Sequence, residues 1–153
     1  MPIIDTKYFG PMSYEEQSCF EFEFGLPAFE NEQRFLPLQM PDHKPLVFLQ
    51  SVATPSLCFV ALPVLVADPH YELAVTVEDL EALGLARHRQ PSIGTEALVL
   101  TLLSIHEDRP ATANLLAPIV VNLANRRAVQ AIRCDQAHSH EQPISAHRRE
   151  GAC

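Results

Sequence analysis

Proline interrupts this chain so often that few long regular elements can form: there are thirteen prolines against five glycines, and no tryptophan. An interior proline removes a backbone donor and clashes with the preceding helical turn. The distribution argues against a helical bundle, and the scarcity of glycine argues against any fold built on a glycine-rich loop. What remains favoured is a set of short strands joined by proline turns. At 153 residues the chain suffices for one domain with a core of its own.

The strand pattern is visible between the prolines. Period-2 alternation appears in "IIDTKYF" and in "CFEFEF", where Phe20, Phe22 and Phe24 are expected to point one way and Glu21 and Glu23 the other. "RFLPLQM" and "LVFLQSV" follow, divided by the turn "PDHKP", then "LCFVALPVLV", and "YELAVTV" adds a further short strand. A helix of about two turns begins after it: Thr76 can cap, Asp79 stands three residues on, Leu80 and Leu83 share a face, and Gly84 turns the chain out. "EALVLTLLSIH" reads as a central strand. In "ATANLLAPIVVN", Pro118 splits the run into a turn at 114–117 and a strand at 119–123, which "ANRR" returns through "AVQAIRCD". The expected architecture is mainly β, a small antiparallel β-barrel or rolled sandwich of about eight or nine short strands with one short helix. Residues 1–135 form the single domain, and the polar, aperiodic residues 136–153 are expected to be disordered.

Charge narrows the partners. Residues 1–86 hold 13 carboxylates and 3 cations, whereas residues 87–153 hold 6 and 8. Nucleic-acid affinity comes mainly from Lys and Arg displacing counterions, so the acidic half disfavours direct nucleic-acid binding and suits a basic protein. Cys19, Cys58, Cys134 and Cys153 show no C-x-x-C spacing and read as thiols in a reducing compartment. No stretch reaches the roughly 18 apolar residues that span a bilayer, and the N-terminus lacks a signal-peptide pattern, so a cytoplasmic, monomeric protein away from membranes is expected.

Chemistry is sparse. The nucleophile elbow, Walker A and G-x-G-x-x-G patterns are absent, so no catalytic residues and no cofactor are assigned. His43, His70, His88 and His106 stand singly, and the H-x-H of His138 and His140, with His147 and Cys153 beyond, lies in the polar tail, so no metal site is assigned. Glu21 and Glu23 read as the solvated face of a strand, with Glu15 and Glu16 in its approach. The best local docking candidate is "DPHYELAVTVEDLEAL", where Asp68, Glu72, Glu78, Asp79 and Glu81 crowd a short span around Tyr71, taken as exposed. Aromatic anchors ringed by complementary charge give interfaces affinity and steering.

Five phrases, "TKYFG", "FEFGLPAFE" at Phe22–Glu30, "LQSVATPSLCFV" at Leu49–Val60, "HYELAVTVEDLEALGL" at His70–Leu85 and "TANLLAPIVVN" at Thr112–Asn122, occur in the order that resembles the bacterial flagellar assembly factor FliW family. The resemblance runs from about Ile3 to Cys134. It implies a small non-enzymatic β-barrel-type domain with two protein partners: flagellin, and the RNA-binding translational repressor CsrA, which the family antagonises. The two would compete, so that free flagellin captures the factor and releases the repressor. An alternative is a cytoplasmic flagellin chaperone without a repressor-antagonist role. The chain departs from the family pattern F-P-x-G-[LI]-P-G-F at Glu23 and Ala28, and has Ala128 where a hairpin glycine is common. Without that first glycine, the turn at Ala28 is expected to be reached by another route, and Asn125 is expected to take the left-handed position of the last hairpin.

Overall fold

A computed structural model describes residues 2–133, 135 and 138–144. The chain opens with a hairpin of β1 (Ile3–Thr6) and β2 (Gly10–Ser13). There follow β3 (Phe20–Glu21), β4 (Arg34–Leu38), β5 (Val47–Ser51), β6 (Cys58–Pro63), helices α1 (Val64–Ala67) and α2 (Val77–Leu83), β7 (Ala97–Ser104), β8 (Thr112–Ala113), β9 (Ile119–Asn122), β10 (Ala128–Gln130) and β11 (Gln142–Pro143). All strand pairings are antiparallel, in the order β10-β9-β7-β6-β5-β4-β3, with β8 pairing the far end of β7 and β11 pairing β8. The sheet rolls until its two edges touch at one point, a single bridge between Glu21 and Arg127 with the Glu21 N–H donating to the Arg126 carbonyl at 2.9 Å. The mainly β, rolled antiparallel architecture is therefore the one expected, left open along one seam.

β7 and β9 are the wall between two cores, which is why both are mainly apolar. Ala97, Val99 and Val120 face one core with Leu80, Leu83 and Leu115. Leu100, Ile119 and Val121 face the other with Phe20, Phe22, Phe35 and Leu49. β9 is buried at all four positions. The turn expected before it is present: the Asn114 side-chain oxygen accepts from the Ala117 N–H at 3.2 Å.

α2 follows its sequence signals. Thr76 accepts from the Asp79 N–H at 3.2 Å, and Gly84, at φ 76, lets the Leu85 N–H reach back to the Leu80 carbonyl at 2.9 Å. The Leu83 carbonyl, orphaned at the helix end, accepts from the side-chain amides of Asn122 at 2.8 Å and Asn125 at 3.2 Å. The asparagine that closes "APIVVN" thus fastens the helix to the β9–β10 hairpin.

Several local expectations are corrected. There are eleven strands among the described residues and two short α-helices rather than one, with single 3-10 turns at Glu16–Ser18 and Pro41–His43. Alternation in "CFEFEF" stops at Phe22: the Gly25 N–H donates to the Phe22 carbonyl at 3.0 Å, Gly25 has φ 66, and Phe24 is turned out, 69% exposed. "LCFVALPVLV" is a strand only to Pro63, after which Val64–Ala67 coils into one helical turn. "YELAVTV" is not a strand, because the Gln90 side chain occupies the place of a neighbour, accepting from the Val75 N–H at 2.8 Å and donating to the Val75 carbonyl at 3.1 Å. In the last hairpin Arg126, not Asn125, is left-handed at φ 66; Asn125 is committed to the Leu83 carbonyl and to the Arg127 N–H at 2.9 Å.

Ala28 takes the left-handed conformation itself, at φ 70, rather than avoiding it. The Glu30 carboxylate holds the turn by accepting from the Ala28 N–H at 2.7 Å. A left-handed alanine costs about 1–2 kcal/mol, and glycine costs about 0.5–1 kcal/mol in chain entropy. Ala28→Gly is accordingly expected to raise stability by up to about 1 kcal/mol, seen as a higher urea midpoint at unchanged slope.

Of the segment read as a polar tail, residues 138–144 lie on the domain. The Leu115 N–H donates to the Ser139 carbonyl at 2.9 Å, the Ile144 N–H donates to the Ala111 carbonyl at 2.8 Å, and Ile144 packs against the first core. Cys134, His147 and Cys153 lie outside the described residues. Cys19 is buried and Cys58 half-buried, and burial pushes both thiols up, that of Cys58 to about 11.

Candidate functional site

The six residues singled out around α2 fall into two settings. Tyr71 is buried, 4% exposed, not the exposed anchor expected. Its ring is held between the Arg133 guanidinium at 5.2 Å and the His138 ring at 4.5 Å, and its hydroxyl donates to the Leu115 carbonyl at 2.8 Å. Burial raises the phenol pKa, and the nearby Arg133 partly offsets this. Arg133, 8% exposed, pairs in fork fashion with Asp135 at 2.8 and 2.9 Å and donates to the Glu72 carbonyl. Hydrogen bonding to Asp135 is the main cause holding its pKa above the ordinary arginine value. Asp68 accepts from the His70 N–H at 3.0 Å and lies 3.9 Å from the His138 ring nitrogen. These groups form a strut that ties the 68–72 segment to the C-terminal part of the chain.

Because the strut is internal, Tyr71→Phe is expected to lower stability by about 1–3 kcal/mol, the cost of leaving the buried Leu115 carbonyl unpaired, without altering any surface group. A denaturation midpoint equal to that of the parent would contradict this placement.

Glu78, Asp79 and Glu81 sit on α2, with Glu78 and Glu81 exposed and Asp79 partly covered. Partial burial raises the Asp79 pKa, Thr76 lowers it, and Glu78 raises it further. Asp79 lines a groove of about 290 Å³ together with Phe24, Gly25, Glu30 and Gln130. A second groove, of about 360 Å³, runs between Glu21–Glu23 and Arg127–Val129 with Ala82 at its side. Both grooves are lined by Ala128 and Val129, so they flank β10 along the open seam of the rolled sheet.

The seam is not legible in the sequence. In sequence Glu21 and Glu23 read as a solvated face, yet the fold brings them, with Glu30, to the rim shared with the acidic helix. Glu21 is bonded to Arg34 at 2.8 Å, and Arg127 is the one cation that lines either groove among the described residues. The signal available in sequence was three carboxylates within ten residues beside a turn, but their convergence on α2 requires the chain to roll.

Among the described residues no group of three or more His, Cys, Asp or Glu is placed to hold a metal, and no helix is long and apolar enough to cross a membrane. The fold and the seam define a small, mainly β domain that carries an acidic groove between the edges of a nearly closed sheet. Comparison with known proteins makes the class specific. The family model described as FliW protein matches residues 3–144, and the chain belongs to that family. It is 34% identical to flagellar assembly factor FliW of Bacillus subtilis (strain 168), over 93% of this chain and 96% of that protein. It is 37% identical to flagellar assembly factor FliW of Bacillus licheniformis, over the same shares. A crystal structure of the flagellar assembly factor FliW superimposes with a TM-score of 0.82 at 30% identity, covering 94% of this chain and 96% of that one.

Proposed function

We propose that this chain is a flagellar assembly factor that acts in the cytoplasm by binding proteins rather than by catalysis. It binds flagellin and also a CsrA-type RNA-binding repressor, and the two exclude one another. Rising free flagellin takes the factor away from the repressor, which then silences flagellin translation. Family membership supports the first part of this reading. The observation that carries the second is the convergence of acid on the seam: Asp79 of α2 lines one groove with Glu30, and Glu21 and Glu23 line the other, while Glu78 and Glu81 are exposed on the same helix. A repressor that neutralises RNA phosphates must itself be cationic, and complementary charge speeds and orients such an encounter. Asp68 and Glu72 add acid nearby in sequence, while Tyr71 serves as their internal support.

Titration calorimetry of the full chain, as a monomer, with each partner separately tests this reading. Binding to both is the expected outcome. Binding to flagellin with none to the repressor, even at low salt, would leave a flagellin chaperone, and binding to neither would end the proposal.

A further inference from the structure

β10 is an edge strand. It pairs with β9, and contact with the opposite edge of the sheet is confined to the Glu21–Arg127 bridge. The register fixes which main-chain groups face the seam. The Asn122 N–H donates to the Arg127 carbonyl at 2.8 Å and the Ala131 N–H donates to the Pro118 carbonyl at 2.8 Å, so residues 127, 129 and 131 turn toward β9. Alternation along an antiparallel ladder therefore turns the N–H and C=O groups of Ala128 and Gln130 outward. The bridge at Glu21 is parallel, so it sets Glu21 against the outward Ala128 N–H; Gln130 lies beyond the bridge, and no strand among the described residues pairs with it.

An unpaired edge is a template for another strand, and native sheets usually guard it with charge, lysine above all. Here the guard is acidic: Glu21, paired with Arg34, lines the flanking grooves with Glu23, Glu30 and Asp79, Arg127 is the one cation lining them among the described residues, and exposed Phe24 stands there too. Carboxylates repel an acidic strand and admit a basic one. A second copy docked edge to edge would bring the same carboxylates against each other, and a helix, whose amides are internally bonded, cannot use the outward groups.

We propose that β10 is a strand-addition site, taking an extended cationic segment of a protein partner into the open seam and so extending the sheet across it. The partner is the RNA-binding repressor, and to that extent the inference rests on the function proposed above.

Residue-resolved amide exchange on the full ¹⁵N-labelled chain, free and saturated with the repressor at low salt, tests it, with complex formation measured independently by calorimetry. Exchange at Gln130 is expected to slow by about tenfold or more on binding, while Ala128, already met by Glu21, and Val129, already opposite Val120, change less. Gln130→Pro, which deletes one outward donor at an edge position where proline is tolerated, is expected to abolish the complex. Gln130→Ala, which removes only the side-chain bond to the Ala117 carbonyl, is expected to keep it. A complex that forms with unchanged exchange at Gln130 overturns strand addition and leaves the proposed function standing. Absence of any complex overturns both. Protection that grows with the concentration of the chain alone would assign the edge to a second copy and overturn the proposal.

Discussion

Phe35→Ala is expected to destabilise the domain by about 3–5 kcal/mol, the range for truncating a buried phenylalanine. The side chain is 0% exposed, and its ring meets Phe22 edge-on at 5.6 Å and Phe59 at 5.7 Å, with Phe59 in turn edge-on to Phe29 at 5.4 Å. On the sheet Phe35 stands opposite Phe20 on one neighbour and Ser51 on the other. Truncation therefore opens a cavity at the centre of the second core and loosens Phe22, from which the seam departs. Domains of this kind hold about 5–15 kcal/mol in total, so the variant is expected to be substantially unfolded well below the parent's midpoint in urea. A loss under about 1 kcal/mol would mean that the second core does not pivot on this ring.

Neutralising the acidic helix, with Glu78→Gln, Asp79→Asn and Glu81→Gln combined, is expected to slow association with the repressor by about tenfold or more at low salt. The expectation rests on steering, which acts on encounter more than on the lifetime of the complex. The deficit should shrink toward 0.15 M salt, where the screening length falls to about 8 Å. The fold should survive: the Thr76 cap is made to the backbone N–H of Asp79, which the change retains, and Leu80 and Leu83 stay buried. Losing carboxylates from the first turn costs about 0.3–1 kcal/mol each through the helix dipole. Association rates measured against ionic strength check the prediction; identical rates and salt dependence in parent and variant would remove electrostatics from the account.

How much of this was legible in the chain depends on how local the cause is. α2 was readable because its cap at Thr76 and its exit at Gly84 lie within nine residues of each other. β7 and β9 were readable because strands that separate two cores are mainly apolar, Thr101 and Asn122 being the buried polar exceptions, and Pro118 marked where β9 begins. "YELAVTV" failed because its hydrogen-bonding neighbour is the side chain of Gln90, fifteen positions away, which no periodicity displays. Tyr71 looked exposed amid acids because the groups that cover it, Arg133 and His138, come from the far end of the chain. Phe24 obeyed the alternation and was still turned out, since a backbone turn at Gly25 overrides side-chain pattern. The acidic seam was hidden for the same reason: its two rims are about one hundred residues apart and meet when the sheet rolls.

The central claim is that one acidic domain serves two partners in turn. The measurement that tests it most directly is a three-component titration, in which flagellin is added to a preformed complex of the full chain and the repressor while repressor release is followed by RNA binding. The account requires that flagellin displace the repressor in a saturable manner, at about one flagellin per factor, with RNA binding recovering in step. A stable ternary complex, or a repressor that stays bound at saturating flagellin, would contradict it.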